Sequence, residues 1–256
     1  MMVTKNTDEP CEPHFLESLS FKDYEVEDWL RSPTDYCNKY IRGNKNKNCR
    51  LTWKQRVQYI VNHALNDVYT IEPEMRTREH IYDCFLRRWN LKPNMFPTYF
   101  LYQKVLSEVS SQFITWIENM RDLETPIVLF ESFTTSIFNQ SVQLSMIFQM
   151  IECTKTSYNV RKVFVDEERN VIDGYLHMTA VFCHKAFGKL PDTIETTNLL
   201  TGEKRELRIS DDYELKEAQN KVYVMLQSME RLRSQNKEHV KEVSQWDCYS
   251  TPFSMH

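Results

Sequence analysis

Carboxylates and a lysine on consecutive apolar segments are the residue types in this chain that could act on a phosphodiester. Glu131 closes the run PIVLFE, Glu152 closes MIFQMIE, Lys162 lies within YNVRKVFVD, and Asp166, Glu167 and Glu168 follow in DEERN. Acids on adjacent strands can hold Mg²⁺ through oxygen ligands, and a lysine can steady an attacking water or the charge developing on phosphate. Glu131, Glu152, Asp166, Glu167 and Glu168 could form an acidic site, while DEERN also reads as a solvated turn.

A second chemistry needs no acid. Lys45, Lys47, Arg50, Lys54 and Arg56 cluster around Trp53, and Arg76, Arg78, Arg87, Arg88 and Lys92 surround Trp89. Cations that hold phosphates beside an aromatic that stacks on a base are the ingredients of nucleic-acid binding. The same stretches also fit ordinary solvated helix faces. His63 has two readings of its own, since a histidine on an amphipathic helix is more often packed or hydrogen-bonded than catalytic.

Composition narrows the alternatives. The 256 residues include only four glycines, at 43, 174, 188 and 202, with no GxGxxG and no GxxxxGK[ST], so a glycine-rich phosphate cradle loses its usual support. An apolar fraction of 41% suffices for a sizeable core, and a net charge of -4 leaves room for a local basic groove. Seven cysteines occur without CxxC spacing, which points to reduced thiols and away from a zinc ribbon or finger. With no apolar run near eighteen residues and no signal-peptide core, the expected setting is intracellular, cytosol-like or DNA-associated, in cytoplasm or nucleus, with no membrane partner.

The elements that must position these residues follow from periodicity. Residues 1–18 read as a loose tail, and SFKDYEVEDWLRSPTDYCNKYI as two short helices around Ser32-Pro33. Apolar residues at helical spacing predict helices over 53–69, through Ile81, Phe85 and Trp89, and over about 98–120, giving a helical part from about 19 to 122. PIVLFE, VQLSMIFQMI and YNVRKVFV read as strands, with Val142, Leu144, Met146, Phe148 and Met150 on one face at period two. A helix over about 171–187 ends at Gly188, a hairpin turns at Thr201-Gly202-Glu203, and a long helix runs from Ser210 or Asp211 to about 241. The sheet core thus spans about 126–242, and 243–256 reads as irregular. The fold class expected is α/β (α+β): a mixed central sheet flanked by helices, with a helical N-terminal half.

This order of elements resembles the RecB-family nuclease domain of the PD-(D/E)XK superfamily, the type found in RecB and AddB helicase-nucleases and in small CRISPR-adaptation exonucleases. Such domains open with a phrase like S-x-x-x-x-x-x-Y-x-x-C-P-x-x-Y-x-x-x-Y, which residues 20–41 are similar to, with Ser32 where that cysteine would stand. The resemblance then matches VNHALNDVY to a histidine-bearing helix, PIVLFE to a strand ending in glutamate, and MIFQMIE to a strand reading G-x-I-D-R-I-E. It ends in a closing hairpin and helix that include an L-x-T-G-E turn.

What the resemblance implies is a restriction-endonuclease-like core over roughly 20–253, with site positions at His63, Glu131, Gln149, Lys162 and Phe164. Gln149 stands where a metal-binding aspartate belongs, Lys162 near the second carboxylate and Phe164 near the lysine. Mg²⁺ is then expected only if the protein is active, as a deoxyribonuclease, and the inherited site looks dead. Some members close with a cysteine-bearing W-x-C-x-x-C-P-F phrase that holds an iron-sulfur cluster. Trp246 and Cys248 trace it, but Thr251 and Ser32 replace two of the thiols, so no cluster is expected. The expectation is a catalytically degenerate nuclease-like protein that binds DNA, or assembles with a protein partner, in a DNA-processing complex. An active nuclease with displaced carboxylates and a protein-binding module without nucleic-acid affinity stay open beside it.

Overall fold

The computed structural model describes residues 19–42, 51–120, 126–138, 141–153 and 156–249, with the backbone alone for 237–249. The expectations for residues 1–18, for Lys45, Lys47 and Arg50, and for 250–256 lie outside the described residues.

Strand β1 (Leu19–Lys22) leads into α1 (Asp23–Arg31) and α2 (Pro33–Tyr36), then a π-turn over Cys37–Ile41. Ser32 caps α2, its Oγ accepting from Asp35 N at 3.2 Å, with Pro33 in the first turn where a missing N–H costs nothing. Helices α3 (Trp53–Tyr69), α4 (Arg78–Arg88) and α5 (Tyr99–Glu118) follow. Threonine caps each of them: Thr52, in a reciprocal box with Gln55, then Thr77 and Thr98. Next come β2 (Val128–Ile137), β3 (Val142–Cys153), β4 (Tyr158–Phe164), α6 (Arg169–Phe187), β5 (Thr193–Asn198), β6 (Lys204–Leu207) and α7 (Asp212–Tyr249).

The six strands form one mixed sheet. β2 lies antiparallel along one side of β3. The other side of β3 is shared: β1 pairs with Val142–Ser145 in parallel, and β4 pairs with Met150–Cys153 antiparallel. β5 continues in parallel from β4, and β6 closes the far edge antiparallel to β5. Helices α1, α6 and α7 cover one face, where Phe21, Val26, Phe148, Tyr175, Phe182, Val222 and Met229 are buried together. Helices α3, α4 and α5 cover the other, with Val61, Leu65, Phe85, Val109 and Phe113 meeting Met150, Val163 and Val165 of the sheet. The chain is therefore a mixed α/β structure with an open mixed sheet between helical layers. No helix among the described residues is long and apolar enough to cross a membrane.

Four local expectations are corrected. Residues 19–22 are a strand that joins the sheet, so the N-terminal part is not wholly helical; four residues are too short for an alternating pattern to stand out. β2 runs on through Ile137, which puts Glu131 inside the strand and not at its end. Helix α7 continues to Tyr249, so 243–249 is not irregular chain.

The fourth concerns the period-two face of β3. Val142, Leu144, Met146 and Phe148 share the core beneath α6, but Met150 lies in the opposite core and Ile151 takes the α6 side. β2 changes faces at the same level: Phe130 adopts φ 54°, and Leu129 and Phe130 both pack toward the α3–α5 layer. Pairing resumes in unchanged register, Leu129 with Met150 and Glu131 with Phe148, so no residue is inserted. A left-handed backbone at a bulky aromatic is strained, and here it lets the hairpin serve both cores.

Candidate functional site

Because β1 and β4 occupy the same side of β3 with a gap between them, the backbone from Met146 to Gln149 faces a notch rather than a strand. Buried backbone N–H groups need partners, and side chains supply them here. Asp23, the first residue of α1 and only 3% exposed, accepts from Ile147 N through Oδ2 at 2.9 Å and from its neighbour Tyr24 N through Oδ1 at 2.8 Å. Across the notch, Gln149 accepts from Val163 N through Oε1 at 2.6 Å and donates through Nε2 to Asn62 Oδ1 at 2.9 Å. Gln58, one turn before Asn62 on α3, donates to Val163 O at 3.1 Å and accepts from Val165 N at 3.0 Å. Two side chains of α3 and one of β3 thus hold the inner edge of β4.

On the α6 side, Glu27 stands one turn after Asp23 and meets Lys162 of β4, Oε1 to Nζ 2.5 Å. The ammonium also sits over the rings of Tyr175, 4.3 Å to the centroid, and Phe164, 4.7 Å. Burial pushes the Glu27 carboxyl above its ordinary range and the Asp23 charge adds to this, while Lys162 pulls it back. The Lys162 charge is therefore compensated inside the protein, by one carboxylate and two ring faces.

Of the positions that the resemblance singles out, Gln149, Lys162 and Phe164 gather around this notch. His63 does not: it is exposed on α3, and its neighbour Asn62 faces the notch instead. Glu131 is exposed on β2 opposite Phe148. The remaining acids are dispersed. Glu152, 3% exposed, pairs with Arg161 at 2.7 Å, and Arg161 also reaches Glu195 at 2.8 Å. Asp166 pairs with Lys54 at 2.6 Å, Glu167 pairs with Arg31, and Glu168 is the exposed residue that precedes α6. No group of three metal-ligating side chains occurs among the described residues.

The magnesium implied by the resemblance can be tested on this donor set, and the residues do not fit it. The Gln149 amide oxygen is spent on Val163 N, the Asp23 oxygens on backbone N–H groups, and Glu27 on an ammonium that would repel a cation. What the arrangement does chemically is fasten α1, β3, β4 and α3 around the gap. Asp23, Glu27, Gln58 and Asn62 escape a motif-based reading of the sequence. The one signal is the i, i+4 spacing of Asp23 and Glu27, and again of Gln58 and Asn62, which puts each pair on one helix face.

The two basic stretches meet rather than stand apart. Trp53 packs on Phe96 at 5.5 Å, Trp89 on Phe96 at 6.5 Å and on Tyr102 at 6.1 Å. Several cations are already engaged: Lys54 by Asp166, Arg78 by Glu118, and Arg88 by both oxygens of Asp67 at 2.7 Å. Arg56 donates to Leu51 O and Arg87 to Asp83 O. No family model matches the chain, and no curated protein matches it.

Proposed function

We propose that this chain is a catalytically degenerate PD-(D/E)XK nuclease-like protein that acts as a DNA-binding or assembly subunit in DNA replication, recombination or mobile-element processing. The observation that carries the reading is the state of the notch. At the positions where a nuclease of that type would hold its metal, Gln149 is a hydrogen-bonded spacer and Lys162 is ion-paired to Glu27. Losing carboxylate ligands and a free lysine removes several kcal/mol of the charge stabilisation on which phosphodiester hydrolysis relies, on the order of 10²-fold or more in rate for each group. A mixed sheet between helical layers, and aromatic residues flanked by cations on α3 and α5, support a role in holding nucleic acid without cutting it.

The test is direct. Purified full-length chain is incubated with Mg²⁺ or Mn²⁺ and with single- and double-stranded DNA, beside a Glu131→Ala, Glu152→Ala variant. The expected outcome is no cleavage above that of the variant, with DNA binding that weakens steeply as salt rises. Metal-dependent cleavage that the variant loses would make the protein an active nuclease with displaced carboxylates. Absence of DNA binding at about 50 mM salt, where phosphate contacts are strongest, would leave a protein-interaction module.

A further inference from the structure

The first turn of α5 exposes two adjacent aromatic rings, Tyr99 at 61% and Phe100 at 75%. Two adjacent exposed rings add up to more apolar surface than a single exposed side chain. Tyr99 belongs to a longer series of rings. Tyr99 stacks on Tyr102 at 6.2 Å and 30°, Tyr102 meets Phe96 edge-on at 5.3 Å, and Phe96 lies between Trp53 and Trp89. Tyr99 is thus the outer end of an aromatic series anchored in the α3–α5 core, and Phe100 stands exposed beside it in the chain.

The segments that carry the series also carry cations: Lys92 and Lys104 within residues 90–107, and Lys54 and Arg56 within residues 51–66. The nearest acids along the chain are Asp67, which Arg88 holds, and Glu108, exposed one turn after Lys104. Lys92 and Lys104 are both exposed. Asp166 reaches this region, and Lys54 already neutralises it. Exposed lysines on the same segment as exposed aromatics suit a polyanion that also offers flat apolar faces. Single-stranded nucleic acid is such a ligand, and duplex is not, because paired and stacked bases hide those faces.

We propose that Tyr99 and Phe100 are a stacking platform for single-stranded nucleic acid, with Lys92 and Lys104 on its phosphates. This rests on the DNA-binding reading above and assigns its ligand class and site. Each stacked base contributes a sequence-tolerant contact whose loss weakens binding by roughly 5- to 150-fold.

The experiment measures fluorescence anisotropy of a labelled 15-nucleotide oligo(dT) with the full chain, with oligo(U) of equal length as the RNA arm and blunt duplex as competitor. Tyr99→Ala and Phe100→Ala, singly and together, alter exposed side chains, and unchanged thermal melts confirm that each variant folds. The expected result is at least about 10-fold weaker oligo(dT) binding in the double variant, with duplex competing poorly. Lys92→Glu, Lys104→Glu should weaken binding and flatten the salt dependence. Tighter binding of oligo(U) than of oligo(dT) would make RNA the source of the ligand. Wild-type binding that both aromatic changes leave untouched would overturn the platform, hand this face to a protein partner, and leave the broader DNA-binding reading in place. No wild-type binding to any nucleic acid would overturn both. Equal competition by duplex would overturn the stacking assignment alone.

Discussion

Glu27 on α1 and Lys162 on β4 close the notch in the sheet, carboxylate to ammonium 2.5 Å apart, with side chains only 12% and 15% exposed. An ion pair this deeply placed ties an N-terminal helix to a central strand 135 residues away. Its energetics therefore bear on how the notch is held together, and on the proposed function that rests on the notch.

Removing one member of such a pair leaves the other charge buried and costs about 3–5 kcal/mol, whereas replacing both with apolar groups of similar volume is often close to neutral. Lys162→Met should accordingly lower stability by about 3 kcal/mol, and Glu27→Leu by a similar amount. The double variant should recover most of the loss. Urea denaturation of the four proteins measures the coupling, and purely additive losses would show that the pair is not a unit.

The same pair predicts a pH dependence. Burial holds the Glu27 carboxyl above its ordinary value of 4.5, so in the window between the two values the native state binds more protons than the unfolded state. The contribution of Glu27 to stability is then greatest below the ordinary value and declines as pH rises through the raised one. Urea melts of wild type and Glu27→Gln from pH 4 to 7 should show the wild-type curve losing ground to the variant across that range. Parallel curves would mean that Glu27 ionises as freely as in the unfolded chain.

Restoring an acid at Gln149 should not restore a metal site. Asp is one methylene shorter than Gln, so it gives up the contact with Val163 N and turns a carboxylate toward Asn62 Oδ1, itself an acceptor. Stranding that buried N–H costs about 1–3 kcal/mol. Gln149→Asp should therefore melt earlier, and 5 mM Mg²⁺ should leave its melting temperature unchanged. A metal-dependent rise, the signature of a ligand that binds the native state, would show that the notch can still accept a cation.

The residues behind these predictions are unequally visible in the sequence. The buried faces of α3, α5 and α6 and the strand character of β3 and β4 follow from periods of 3.6 and 2, because half-buried elements repeat their apolar positions. Met150 breaks the period because the hairpin changes faces at Phe130 and Gln149, a backbone event that apolar residues on both sides conceal. β1 is hidden by its length. Gln149, Lys162 and Phe164 stand out through the resemblance, yet Asn62, the partner of Gln149, and Glu27, the partner of Lys162, lie 87 and 135 residues away and share no motif with them. His63 against Asn62 is a one-residue difference on a helix, about 100° of rotation, which spacing alone does not resolve.

At Gly174, helix propensity and packing pull in opposite directions. In a helix interior glycine is about 1 kcal/mol less favourable than alanine, so Gly174→Ala on α6 would stabilise the fold if space allowed. A Cβ there would stand 2.4 Å from Leu30 Cδ1 and 3.4 Å from Met225 Sδ. Leu30 lies on α1, three residues after Glu27, and packs against the core under α6. Leu30 is only partly buried and the clashing atom is the free end of its side chain, so a rotamer change relieves part of an overpacking cost of about 1–3 kcal/mol. What strain is left offsets the gain in propensity, so Gly174→Ala should be close to neutral, within about 1 kcal/mol. Truncating the obstacle tips the balance: against a Leu30→Ala background the same change should become stabilising, because the helix-propensity gain remains and the clash is gone. Thermal melts of the four proteins read this out. If Gly174→Ala has the same effect with and without Leu30, the close approach of α1 to α6 does not account for the glycine.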